Sequence, residues 1–381
     1  MIYSKISRLI LLTKLPVSVA RNACSVLILN LIIIYFKLKK KKIIFFYHPR
    51  KLLTFIHQFY IEDLLEDMSE NYSVIYGHEV NINIGKKYFY IKQVYLKFIL
   101  NIDLFISNNI CDIFPPGSKK IYIHHNVYDD PWVPRNKEKV MCQRLLNYNF
   151  IFLSSKMQIK MVNEMFRRYD IGKFPNLTEI GYLRIDYLLR KYSEKLKIKK
   201  NSIVIATTQF EGFPEFTISN HLKDIIFELL NESSYNVILR PHPSNRAHIK
   251  IHELIEVFKH NTRFQCDFSE NYVDTYAKSQ ILITDMSGTA YTFAFLTLCP
   301  VIFFLPKDDA IKKNNYDKLN FFLNRTKIGS IVRDVKLMSQ EINKILLKIK
   351  QYKESIQILS KEIKYFGKAK KKFKEELDLI N

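Results

Sequence analysis

From Lys42 onward the chain alternates short, unbroken apolar runs with stretches whose apolar residues recur every three or four positions. Runs of the first kind cover Lys42 to Pro49, the segment ending at Gly77, Asp103 to Asn108, and the segments ending at His125 and Ser155. They have the length and composition of buried strands, whereas FIHQFYIEDLLEDM, after the first of them, has helical spacing. The second half repeats the rhythm. Strands are expected at SIVIATT, YNVILRP, SQILITD and CPVIFFL, with helices over about 218–230, after His248 and after Ser287. Strand, helix, strand order predicts parallel sheets covered by helices on both faces.

The charged run RKYSEKLKIKK, from Arg190 to Lys200, carries no strong apolar stripe and reads as the junction between two such domains. From about Lys336 the tail reads as helical, with charged faces and no glycine until Gly367. The expected division is a membrane-associating segment over 1–42, α/β domains over 43–195 and 196–335, and a helical tail over 336–381.

The apolar run CSVLILNLIIIYF, from Cys24 to Phe36, is followed at once by KLKKKK. It is shorter than the roughly 20 residues that span a bilayer, and its lysines follow the apolar body instead of preceding it as in a secretory signal. An apolar body with a basic collar fits an interfacial or re-entrant anchor drawn to an anionic membrane surface, with a buried first helix as the alternative. If the run spans, the lysines keep the body of the protein in the cytoplasm.

Composition narrows the partners. The chain has 381 residues, 48% of them hydrophobic, enough for a large core in two domains. Its 59 basic and 37 acidic residues leave a formal charge of +22, which favours an anionic partner. Nucleic acid is not the expected one, since there is no helix-turn-helix signal, zinc-finger spacing or Arg-rich arm. The five cysteines include no C-x-x-C pair, and His248 and His252 lack the H-E-x-x-H pattern, so no metal site is expected and the environment reads as reducing.

Two stretches carry candidate chemistry. In VILRPHPSNR, Pro241 must end a strand, which presents Arg240 and His242 at its C-terminal edge, the side of an open α/β sheet where ligands bind. In ILITDMSGTAYTFAF a strand runs to Asp285, and Ser287, Gly288 and Thr289 stand where a helix begins, a place suited to a phosphate or to an ordinary N-cap. Two such places on successive strand ends point to a diphosphate-bearing donor. With nine glycines and neither a G-x-x-x-x-G-K-[ST] nor a G-x-G-x-x-G motif, the chain is neither a P-loop hydrolase nor an ordinary dinucleotide binder, and no cofactor is expected. The adjacent Asp129 and Asp130, before Pro131, read as a turn or as acceptor contacts.

Taken in order, HHN at His124 to Asn126, GYLRIDYLL from Gly181, IVIATTQFEG from Ile203, LRPHP from Leu239, ILITDMSGTAYTFAFLTLCPVIFF from Ile281 and the tail YFGKAKKKFKEELDLI resemble the CDP-glycerol glycerophosphotransferases that build teichoic-acid and related capsule polymers. The resemblance spans Tyr122 to Ile380. It implies the GT-B fold, two doubly wound domains facing a cleft with a long C-terminal helix. It also implies monotopic association with the inner face of the bacterial membrane, and transfer of glycerol phosphate from CDP-glycerol to a lipid-linked or polymer acceptor.

Carried over, His125 is the general base of a tryptophan-histidine-glycine motif, with His124 as the alternative base. Arg240 and His242 hold donor phosphates, and Ser287 and Gly288 stand where the family has two phosphate-binding serines, with Thr289 able to supply the second hydroxyl. Thr208 and Asp285 complete the donor set. The departures are His124 for tryptophan, Asn126 for glycine, Gly288 for serine, Leu183 for proline, and Gln209 to Gly212 for an aromatic-arginine pair. They admit another nucleotide-activated donor, so a GT-B glycosyltransferase using a nucleotide sugar and a non-catalytic polyanion-binding protein remain the rival readings.

Overall fold

A computed structural model describes residues 17–49, 59–68, 71–79, 88–129, 131–211, 214–269, 272–307 and 309–380. Asp130, Gly212 and the first residues of the FIHQFYIEDLLEDM stretch lie outside them.

The first half is a seven-stranded sheet ordered β3-β2-β1-β4-β5-β6-β7. Its strands are β1 (Lys42–His48), β2 (Tyr72–His78), β3 (Tyr88–Tyr90), β4 (Leu104–Ser107), β5 (Lys119–Ile123), β6 (Phe150–Leu153) and β7 (Asn176–Glu179). The second is a six-stranded sheet ordered β10-β9-β8-β11-β12-β13. It is built from β8 (Ser202–Ala206), β9 (Asn236–Arg240), β10 (Phe264–Cys266), β11 (Ser279–Thr284), β12 (Val301–Phe304) and β13 (Gly329–Val332). Every strand pair in both sheets is parallel.

Central strands are sealed on both faces, which is why they read as continuous apolar runs: Ile43 to Tyr47 in β1 are all 0% exposed. Burying each such side chain contributes about 1.5–3 kcal/mol. The strands that the pattern misses, β3, β7, β10 and β13, are short and lie at or next to the sheet edges, where two-sided burial is not required.

At the amino end, α1 (Val17–Leu38) is longer than the apolar run because it continues back through Arg21 and Asn22. Asn22 Oδ1 accepts the Lys92 N–H at 2.7 Å, and Arg21 lies over the Tyr90 ring. Asn30 is bonded to the backbone of Phe98 and Leu100, while Leu29 and Ile33 enter the core beside β1. One face of α1 is therefore docked on the first domain. By length and composition the helix is also apolar enough to cross a membrane.

The two halves are joined by α3 and its successor loop, after α2 (Lys156–Arg168) and α3 (Leu183–Ser193) have closed the first domain. The first residues of the charged run belong to α3 itself. The second sheet is flanked by α4 (Leu222–Glu232), α5 (Ile249–Phe258) and α6 (Thr289–Thr297). The tail is three helices, α7 (Met338–Leu347), α8 (Ile349–Lys361) and α9 (Ala369–Ile380), where one long helix was expected. The breaks fall at Lys348 and at Tyr365 and Gly367, both of which take left-handed backbone angles.

The last helix crosses back. Ala369, Phe373, Leu377 and Ile380 of α9 are buried with Ile44, Phe46 and Leu104 of the first sheet. Between the halves, the Tyr128 and Tyr291 rings lie 4.2 Å apart and the Tyr182 and Thr292 hydroxyls 2.6 Å apart, within one shared core.

Candidate active site

The site residues lie at or just beyond strand ends: Arg240 is the last residue of β9, and the others follow their strands. β5 ends at Ile123, so His124, His125 and Asn126 open the next loop. That loop is fixed from behind by α2. Gln158, fully buried, donates its amide to the carbonyls of Asn126 and Tyr128 at 2.8 and 3.0 Å, and Ser155 Oγ donates to the Val127 carbonyl at 2.9 Å. Gln158 was not among the residues expected at the site. Nothing in its helical context distinguishes it from a surface glutamine, and only the fold brings it under the loop.

The two histidines differ. His124 is 5% exposed, its ring is stacked on Trp132 at 3.9 Å, and its Nδ1 meets the Tyr122 hydroxyl at 3.2 Å. Burial, and after it the neighbouring His125, hold its pKa well below the ordinary histidine value. Trp132 thus covers one face of the His124 ring. His125 is half-buried, its ring 5.0 Å from that of His124.

On the opposite sheet, β9, β8 and β11 are neighbours, so the loops after Arg240, Ala206 and Thr284 sit side by side. His242 follows Pro241, and its Nδ1 accepts the backbone N–H of Ser244 at 3.2 Å. A backbone N–H can only donate, so Nδ1 carries the lone pair. The neutral ring is then the Nε2–H tautomer, which presents a donor.

Arg240 is 7% exposed and committed within the protein. Its guanidinium pairs with Asp267 at 2.5 Å and donates to the carbonyl of Ser269 at 2.8 Å. Burial pushes the Asp267 carboxyl up, and Arg240 with the Ser269 and Thr275 hydrogen bonds more than offsets it, leaving the group below its usual range.

Asp285 is 0% exposed and acts as a knot: its carboxylate accepts the N–H of Thr208 at 3.0 and 3.2 Å and that of Ile218 at 3.3 Å. Burial pushes its pKa up to about 7, against the pull of those backbone donors. Asn245 completes the brace, donating to the Thr208 carbonyl at 2.9 Å and accepting from Phe210 N–H.

Ser287, Gly288 and Thr289 form the start of α6 and are all half-buried. The Thr289 N–H reaches Ser287 Oγ at 3.5 Å, and the Thr289 hydroxyl is bonded to that of Tyr276. The two sides of the cleft meet here, since the Asn126 carboxamide lies against Gly288, its Oδ1 3.3 Å from where a Cβ would stand.

Asp129, expected in a turn or at an acceptor, ties the halves together. Its carboxylate accepts the N–H groups of Asn320 and Phe321 at 2.9 and 2.8 Å and the Asn320 side-chain amide at 2.9 Å. Among the described residues no cluster of three or more His, Cys, Asp or Glu side chains is placed to hold a metal ion.

The arrangement offers an imidazole on one wall and, on the other, a helix start and a second imidazole, both at strand ends. Such a cleft is suited to a nucleotide-linked phosphate and an acceptor hydroxyl.

Known proteins share this fold. The chain aligns with the minor teichoic acid biosynthesis protein GgaB of Bacillus subtilis (strain 168), 22% identical over 307 residues, 68% of this chain. It spans only 32% of that relative's length. The solved wall teichoic acid polymerase TagF superposes with a TM-score of 0.61 at 18% identity, covering 89% of this chain and 88% of the other. The UDP-GlcNAc 2-epimerase of Methanocaldococcus jannaschii superposes with a TM-score of 0.53 at 13% identity, covering 84% and 99%. The likeness to TagF establishes the GT-B arrangement of two parallel-sheet domains. Residues 122–372, well over half of the chain and including both walls of the cleft, match the family described as CDP-Glycerol:Poly(glycerophosphate) glycerophosphotransferase, and the chain belongs to that family.

Proposed function

We propose that the protein transfers glycerol phosphate, or a related polyol phosphate, from a CDP-linked donor to a hydroxyl of a lipid-linked or polymer acceptor during cell-surface polymer synthesis. The observation that carries the reading is the contact of Asn126 with Gly288, which sets the histidine-bearing loop of one domain against the helix start of the other.

In this reading His125 takes the proton of the acceptor hydroxyl as its oxygen attacks the phosphorus next to the polyol. The new O–P bond forms, the bond from that phosphorus to the bridging oxygen breaks, and CMP leaves with the electron pair. The Nε2–H of His242 and the N–H groups at the start of α6 stabilise charge on the diphosphate. Arg240, held by Asp267, and Asp285, held by Thr208 and Ile218, keep those groups in place. His124 serves as a wall under His125, stacked on Trp132.

In this reading the reaction takes place at the cytoplasmic face of the membrane. The outward face of α1 exposes Leu27, Leu31, Ile34, Tyr35 and Leu38 beside the lysines of the collar, while its inner face is docked on the first domain. A helix held this way fits a monotopic association, lying in the headgroup region.

The test is donor turnover. Protein in detergent with a lipid-linked acceptor is offered CDP-glycerol, CDP-ribitol and a panel of nucleotide sugars. CMP release from a CDP-polyol supports the reading, and nucleotide release from a sugar donor alone overturns it.

A further inference from the structure

Gly288 has no backbone reason to be glycine. Its φ of −56° and ψ of −16° are right-handed helical angles open to any residue. What a side chain here would meet lies across the cleft. A Cβ at 288 would stand 3.3 Å from Asn126 Oδ1, 3.4 Å from its Cγ and 3.6 Å from its Nδ2, so the carboxamide would have to give by a few tenths of an ångström to admit it.

The two departures from the family's motifs therefore meet in space. A side chain stands at 126, where the motif resemblance implies glycine, and none at 288, where it implies serine. The polar group beside the α6 start now comes from the other domain. Its backbone is fixed, because the Asn126 carbonyl accepts the Gln158 amide at 2.8 Å. A carboxamide brings both a donor N–H₂ and an acceptor oxygen, and it extends further than a serine hydroxyl.

We propose that Asn126 is a specificity-determining residue, its carboxamide seated on Gly288 and reading the phosphate and nearest hydroxyl of the polyol phosphate being transferred. This rests on the phosphotransfer reading above.

The test combines Asn126→Gly, Gly288→Ser and the double variant, following CMP release from CDP-glycerol and CDP-ribitol together with the melting temperature. Asn126→Gly is expected to raise the donor KM about tenfold and to change the ratio of the two donors. Gly288→Ser crowds the carboxamide and lowers kcat/KM, and the double variant recovers part of that loss, because the space is given back. Contacting residues couple in this way, whereas independent ones give additive effects. Additive losses in the double variant, or an Asn126→Gly enzyme with unaltered donor KM and ratio, overturn the assignment while wild-type turnover leaves the phosphotransfer reading standing. Absence of CMP release from both donors by well-folded wild-type protein overturns the phosphotransfer reading and the assignment with it. A melting temperature that falls sharply for Asn126→Gly would identify a merely structural contact and also count against the assignment.

Discussion

The buried carboxylate of Asp285 binds the backbone N–H of Thr208 across adjacent strand ends, at 3.0 and 3.2 Å, directly beneath the helix start at Ser287. Its pKa is raised by burial to about 7, above the ordinary carboxyl value that it has in the unfolded chain. The folded state thus holds this proton more tightly. The resulting stabilisation is complete below about pH 4 and is lost as pH rises through about 7. Melting temperatures measured between pH 4 and 8 should show that downward slope in the wild-type protein and a flatter profile in Asp285→Asn. Equal slopes would place the proton elsewhere.

Arg240 and Asp267 form an ion pair in which both side chains are only 8% exposed. Removing one partner strands the other charge, which costs about 3–5 kcal/mol. Arg240→Ala and Asp267→Ala should therefore each lower the denaturation midpoint by a similar amount, and the double variant should lose less than the sum. Strict additivity would mean that the pair does not act as a unit.

His124 and His125 are adjacent, yet their surroundings assign them different work. Replacing the stacked, buried ring of His124 by phenylalanine preserves the packing on Trp132 and should leave turnover within about tenfold of wild type, less than the 10² to 10⁴ expected from losing a general base. A loss from His124→Phe as deep as that from His125→Ala would reverse the two roles.

The exposed apolar face of α1 gives a prediction about location. Leu27→Glu with Leu31→Glu, both on that outward face, should abolish co-sedimentation with vesicles containing anionic lipid while leaving the melting temperature near that of wild type. Added salt should weaken binding of the wild-type protein, because the lysine collar contributes through screened charges. Unchanged sedimentation of the double variant would assign that face another purpose.

Much of this organisation is legible in the sequence, for a physical reason. Strands buried on both faces must be apolar throughout, so β1, β4, β8, β9, β11 and β12 announce themselves, and so do the polar residues that follow them. Edge strands carry no such requirement, and Asn176–Glu179 shows no apolar run. The extent of α1 was hidden because Arg21 and Asn22 look like an end, and the tertiary partners Tyr90 and Lys92 make them part of a helix. Motif positions show which residues gather at the cleft, but the sequence does not distinguish a residue that faces a ligand from one that holds its neighbour. Arg240 is paired with Asp267 and Asp285 with Thr208, and those partners are 27 and 77 positions away. The fold alone brings them together.

On the proposed reading, the cleft between the His125 loop and the α6 start carries out transfer from a CDP-linked polyol. The most direct measurement is CMP release from CDP-glycerol and CDP-ribitol by the full chain with a lipid-linked acceptor, comparing wild type with His125→Ala and His242→Ala. Acceptor-dependent release is expected from the wild type, with a fall of about 10² to 10⁴ in His125→Ala and His242→Ala, each variant still folded. Release that persists in both variants, or that occurs only from a nucleotide sugar, would contradict it.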